Sequence, residues 1–325
     1  MTRDLAFDDF GKDGVLHTRY YTPPSLLDLI SSRLTAAVPD SNPLIRPKGP
    51  DYANASKLHP YELWAREDND ARTFNIRYIE QYQRVRKHLA QLFETGYLYT
   101  NTSDFIQTLA DIHAYLGKAG VYNEVNRSNI LDDHDLGKIR SGTERPTNRR
   151  IEQSLKVVTI AKKYGDPYGS NDRLEHGEPL KKSTSQVDLP GITPTNQPGD
   201  VVVYDENGNR DPKYGYQYFY PSGDSLNEYF AQMTAIGHEI EVAIKTGNLY
   251  TAQILHMIGQ QYQYGACARP FNHVNNSIFM ELANTQIKIL GFKGVTHGLM
   301  DIAAQRMQPS NFARYFAARA LGQEQ

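Results

Sequence analysis

Apolar residues recur at helical spacing over much of the chain, most clearly in its C-terminal third. Leu226, Tyr229, Phe230, Met233, Ile236, Ile240 and Ile244 mark one face of a helix over 225–246, and Gly247 ends it. Ser225 with Glu228 three residues on predicts a capping box at its start. Ile254, Leu255, Ile258 and Tyr262 predict a second helix over 250–264. Ile278, Phe279, Leu282, Ile287 and Leu290 predict a third over 276–290, stopped by Gly291, and a fourth begins near Leu299. Further upstream, Ile76, Ile79, Tyr82, Val85, Leu89, Leu92 and Phe93 predict a helix that Gly96 ends. Phe105, Ile106, Leu109, Ile112, Tyr115 and Leu116 predict the next, opened by Thr102 or Ser103 as N-cap and closed by Gly117. Near the N-terminus, Pro23-Pro24 open a helix carrying Leu26, Leu27, Ile30 and Leu34 that closes near Pro39.

The stretches between these helices read differently. Residues 39–72 carry Pro, Asn, Asp and Lys without a period and predict a long surface segment, pinned by the sole tryptophan, Trp64. Residues 120–150 are polar, with Gly137-Lys138-Ile139-Arg140 at their centre. Val157-Val158-Thr159-Ile160 fits either a short strand or a helix end, because β-branched side chains favour strand. Gly, Pro, Ser, Asp and Lys crowd 164–200 and predict a mobile insertion. Val201-Val202-Val203-Tyr204, Asn207-Gly208 and then Tyr216 to Tyr220 predict a β-hairpin with an Asn-Gly turn. No internal repeat interrupts this order.

Composition narrows the class. Apolar residues make up only 39% of the chain and mean hydropathy is −0.59, a deficit that 22 tyrosines partly offset by burying a ring under a polar tip. A net charge of −2 offers no field for nucleic acid or an anionic membrane. The single cysteine, Cys267, has no internal partner, which excludes a disulfide-stapled secreted domain. No apolar run reaches the ~18–20 residues that span a bilayer. Met1-Thr2-Arg3-Asp4 lacks a secretory core, and Thr2 stands where myristoylation needs glycine. The expectation is a soluble protein, cytoplasmic or secreted without a signal peptide into a host cytoplasm.

Chemistry gathers in one loop. Arg269-Pro270-Phe271-Asn272-His273-Val274-Asn275-Asn276-Ser277 lies between the second and third C-terminal helices. A polar loop feeding a helix start offers open N–H groups and the positive dipole end to an anion. The plain alternative is that Asn275 or Asn276 only caps the helix.

The order of features around that loop resembles the Fic superfamily. Leu109, Ile112 and His113 match its first helical stretch, and Gly137-Lys138-Ile139-Arg140 matches its Gly-x-x-Arg turn. Tyr218-Phe219-Tyr220-Pro221 matches the end of its flap hairpin, and 269–277 falls where its catalytic loop opens a helix. The resemblance covers roughly 101–310. It implies a mainly α fold with an added N-terminal helical lobe over 1–100. A Fic-like helical core would follow over 101–325, carrying a β-hairpin flap and a mobile insertion around 146–215.

The departures alter what the resemblance implies. Arg269 stands at the family's general-base histidine, and His273 at its Mg²⁺-holding acid. Val274 and Asn276 replace two glycines and Ser277 replaces the closing arginine, so Pro270, Phe271 and Asn275 alone are kept. Arginine is no base near neutral pH, and valine resists the positive φ that a phosphate nest uses. Standard AMPylation is therefore not expected. Among relatives without the motif, the layout is most similar to AvrB-like bacterial effectors. That likeness implies a nucleotide or nucleotide sugar as ligand and a protein as partner or substrate. Under it Arg140 and Arg269 neutralise phosphates, Asn272, Asn275, Asn276 and Ser277 donate hydrogen bonds, and His273 is the candidate base. A non-catalytic binding protein on the same scaffold is the second reading, and a small-molecule enzyme a third.

Other constellations add little. Asp132-Asp133-His134-Asp135 reads as a solvated acidic loop, and His238, His256 and His297 lack a zinc-ligand spacing, so no metal is expected and no cofactor is called for. Cys267 reads as packing rather than as a nucleophile, and Tyr262 and Tyr264 as core rather than as a stacking platform. Residues 145–150 form a short basic face open to an acidic partner.

Overall fold

The computed structural model describes residues 45–58, 76–118, 131–140, 147–149, 151–170, 187–193, 199–202, 216–221, 223–296 and 298–323. Eight α-helices lie among them: α1 Ile76–Thr95, α2 Thr102–Leu116, α3 Ile151–Lys163, α4 Leu226–Thr246, α5 Thr251–Ala268, α6 Asn275–Ile289, α7 Leu299–Arg306 and α8 Pro309–Ala320. Three short strands, β1 Thr147–Arg149, β2 Gly199–Val202 and β3 Tyr216–Phe219, form an antiparallel sheet in the order β1-β3-β2. The fold is mainly helical. No helix of the described residues is long and apolar enough to cross a membrane.

Helix α5 is the hub, packing against α4, α6, α7 and α8. Its neighbours approach closely because small residues face them. A Cβ on Gly265 would stand 2.4 Å from the Phe279 ring of α6, and one on Gly259 would stand 2.9 Å from Phe316 of α8. Ile254, Leu255, Ile258 and Tyr262 of the expected second helix are all buried, and the helix runs on to Ala268. Helix α6 is buried on every side, so its polar residues need partners within the protein. Asn284 exchanges two bonds with the Val295 backbone, Gln286 bonds Tyr99 and Gln261, and Glu281 pairs with Arg86 of α1.

Several local expectations change. Asn101 rather than Thr102 or Ser103 caps α2, accepting from Asp104 N–H at 2.9 Å. Ser225 has helical dihedrals after a 3-10 turn and makes no cap bond to α4, so the capping box is not formed. Glu228 instead accepts from the Thr193 amide and hydroxyl. Residues 157–160 are helical, since Val157, Val158 and Ala161 share the buried face of α3 and burial outweighs strand propensity. Within the span expected as a mobile insertion, Val187, Leu189 and Ile192 are buried in the core, and Asp166 caps α8 through the Gln308 amide. Part of the basic face, Thr147–Arg149, is a strand beside β3. β2 and β3 pair antiparallel, Val201 opposite Gln217. The Asn207-Gly208 turn, Trp64, His297 and the N-terminal helix from Pro23 lie outside the described residues.

Candidate functional site

The loop 269–277 joins α5 and α6, both largely buried. Helix α5 ends at Arg269, whose left-handed backbone (φ 39°, ψ 62°) turns the chain while its N–H still bonds the Gly265 carbonyl. Phe271 drops beneath the loop and is buried. It stacks on the His113 ring of α2 at 4.3 Å between centroids and 12° between planes. Val274 then precedes α6 at φ 62° and ψ −3°. Among the described residues only Arg269 and Val274 are non-glycine with positive φ, and both lie in this loop.

Val274 thus takes the conformation that a β-branched residue was expected to resist, at a cost on the order of 1–3 kcal/mol. Asn275 makes it tolerable. The Asn275 Oδ1 accepts from Phe271 N–H (2.8 Å), and its Nδ2 donates to the carbonyls of Phe271 (2.6 Å) and His273 (3.2 Å). One buried amide side chain therefore clips both ends of the loop together. Neither Asn275 nor Asn276 is the cap; that position is Val274, and both asparagines are helical. Asn276 turns away and donates to Asp301 of α7, which also accepts from the Tyr262 hydroxyl.

The two arginines do converge, but on a tyrosine. The Arg140 and Arg269 guanidiniums stand 5.9 and 4.9 Å from the Tyr220 ring centroid, and Arg269 Nη1 donates to the Tyr220 hydroxyl at 2.9 Å. Arg140 is buried, and its donors go to backbone. Nε bonds the Arg269 carbonyl (2.7 Å), while Nη2 bonds those of Pro221 (3.0 Å) and Ala268 (3.2 Å). Its own N–H bonds the Pro270 carbonyl at 2.7 Å. A cation among the last carbonyls of α5 meets the negative end of that helix. The side chain staples the end of β3 to the end of α5.

His113 locks the same corner from the other side. Its Nδ1 accepts from Gly137 N–H at 2.9 Å, so the turn that carries Arg140 hangs on the imidazole. Burial pushes its pKa down to about 4, with the His273 carbonyl and Asp135 pulling the other way. Arg269, Asn272, His273, Asn276 and Ser277 are half-buried, and the other residues of the loop are buried. The sequence reading missed Tyr220, Gln305 and Asp301. Gln305 donates to both Tyr220 and the Ala266 carbonyl. Tyr220 entered the sequence reading only as the end of the flap match, and no ligand spacing or motif marks Gln305 or Asp301, although Asp301 in the first turn of α7 is a common place for an acid.

The remaining candidates resolve simply. Cys267 is buried with its thiol toward the Ala304 carbonyl at 3.6 Å. Tyr262 packs with Phe312 and Phe316, and the Tyr264 hydroxyl, raised to about 12 by burial, bonds the Pro190 carbonyl. Asp132, His134 and Asp135 hold ligand atoms within 4.8 Å of one another at the surface. His238 and His256 sit on different helices. No family model matches the chain, and no curated protein matches it in sequence.

Proposed function

We propose that 269–277 is a Fic-type phosphate cradle in a nucleotide- or nucleotide-sugar-dependent transferase. Its acceptor is a hydroxyl on a protein, and it is not a standard AMPylator. The observation that carries the reading is the left-handed Val274 immediately before α6. A chain keeps a strained residue where the surroundings over-determine it, and such residues gather at ligand clamps. The turn leads straight into open donors. The first amide bonded within α6 is that of Ile278, to the Val274 carbonyl at 3.1 Å, so the amides of Asn275, Asn276 and Ser277 precede the hydrogen-bonded ladder.

In this reading those amides and the Arg269 guanidinium hold a diphosphate. Asn272 and Ser277 orient what is attached to it, and His273 takes the proton from the acceptor hydroxyl. The side chains of Arg140 and Asn275 hold the cradle's shape without touching the ligand. The flap formed by β2 and β3 would close over the donor, and the acceptor protein is one of the cell or of a host. A second reading is favoured by the internal bonding of Arg140, Asn275 and Asn276: a non-catalytic scaffold that engages a protein partner.

Calorimetry with nucleoside diphosphates and nucleotide sugars tests both. Arg269→Ala should weaken binding by roughly ten- to a hundred-fold, the loss of one charge-assisted contact. A parent protein that binds none of them leaves the scaffold reading. Labelled ATP incubated with lysate should transfer no AMP, and Arg269-dependent labelling would refute the placement of the loop.

A further inference from the structure

A cavity opens at the other end of α5, about 25 Å from the loop by helix rise. It holds ≈ 280 Å³ between the segment 45–51, the start of α5, the end of α6 and the end of α8. Ile45, Pro47, Leu290, Phe292 and Leu321 give it an apolar wall. Arg46 and Lys48 stand on its rim, both exposed and in no ion pair among the described residues. Arg46 is already oriented. Its guanidinium lies over the Tyr250 ring at 4.7 Å and donates to the Gly247 carbonyl at 2.9 Å, which leaves further N–H donors on the same planar group.

The segment is built into the fold rather than laid on it. The Ile45 carbonyl accepts from the Thr251 amide at 2.7 Å, and Asp51 N–H bonds the Ile289 carbonyl at 2.8 Å. Asp51 also caps a 3-10 turn by accepting from the Asn54 amide, so its carboxylate is fixed on the cavity's edge. Gly291, at φ 89°, lines the cavity, and a Cβ there would meet nothing within 4 Å. At interior packing density the space accepts a body of about ten heavy atoms.

We infer that this cavity binds a small amphipathic monoanion, an acyl carboxylate whose tail lies on Leu290, Phe292 and Leu321 and whose head meets Arg46 and Lys48. Two cations over an apolar wall select an anion with an apolar body. The fixed Asp51 carboxylate opposes a second negative charge and so selects one carboxylate over two. The inference is independent of the loop and of its ligand.

The test is calorimetric titration of the full chain with octanoate, octanol, octylamine and suberate. Octanoate should bind saturably at one site and about tenfold more tightly than octanol, with suberate weaker and octylamine absent. Lys48→Gln, at an exposed position, should weaken octanoate roughly three- to tenfold and leave octanol unchanged. Ala252→Leu fills the cavity from a helical position and should abolish both. The inference is overturned if octanoate does not saturate, if octanol binds as well, or if Lys48→Gln leaves the octanoate affinity unchanged.

Discussion

Acidification should loosen the candidate site through one imidazole. His113 is fully buried, accepts from Gly137 N–H and stacks on Phe271, so it links α2, the Arg140 turn and the loop. Its pKa falls from 6.5 to about 4 in the folded chain, burial being the first cause. The sign follows from proton counting. Between those values the unfolded chain binds the proton and the folded chain does not, so folding stability is fully present above pH 6.5 and declines as pH falls toward 4. The whole interval is worth about 3 kcal/mol, and near pH 5 about 2 kcal/mol has been lost. Urea unfolding of the parent and of His113→Phe, at neutral pH and near pH 5, isolates this contribution. The carboxylates and His256, which burial also lowers, titrate alike in both proteins and cancel. The parent should lose about 2 kcal/mol more than the variant on acidification. NMR titration of the parent supplies the same value without a variant. An imidazole that titrates above pH 6, or equal losses in the two proteins, refutes the argument.

Two further outcomes follow from buried charge. Arg140→Ala should lower the melting temperature markedly, because the carbonyls of Pro221, Ala268 and Arg269 lose a shared cationic donor. At about 1.5–3 kcal/mol for one such charged contact the loss exceeds that of an ordinary surface change, and thermal unfolding measures it. Arg86→Met should destabilise by about 3–5 kcal/mol by leaving Glu281 buried without its cation, and Arg86→Met with Glu281→Leu should recover most of that in a double-mutant unfolding cycle.

Helices were legible in this sequence wherever one face alone carries apolar residues. The runs from Ile76 to Phe93 and from Leu226 to Ile244 mark α1 and α4 to within a residue or two, because burial on one side writes its period into the chain. Helix ends were less legible. Ser225 offers a cap in sequence, yet Glu228 is taken by Thr193, a partner 35 residues away. Val157 and Val158 show the same limit: strand propensity is local, and the contact between α3 and α7 is not. Val187, Leu189 and Ile192 were hidden by the glycines and prolines around them, since turn residues announce bends but say nothing of whether the bend lies on the core.

The site shows a sharper division between placement and role. Sequence spacing led to the right neighbourhood: His113, Arg140, Arg269 and the loop do meet at one corner. Residue type alone decides less, because a guanidinium suits carbonyl oxygens as well as phosphate, and only the fold says which it meets. Arg140 faces three carbonyls that no local pattern pairs with it, at separations of 81 to 129 residues. Val274 errs in the opposite direction. Its side chain argues against a left-handed turn, and Asn275 imposes one by binding the Phe271 backbone at both its N–H and its carbonyl. An asparagine that binds both ends of a loop fixes the backbone between them whatever side chain stands there. The loop's shape is therefore carried by Asn275, Phe271 and Arg140, whose bonds and packing lie inside the fold, while Asn272, His273 and Ser277 are half-buried at its surface.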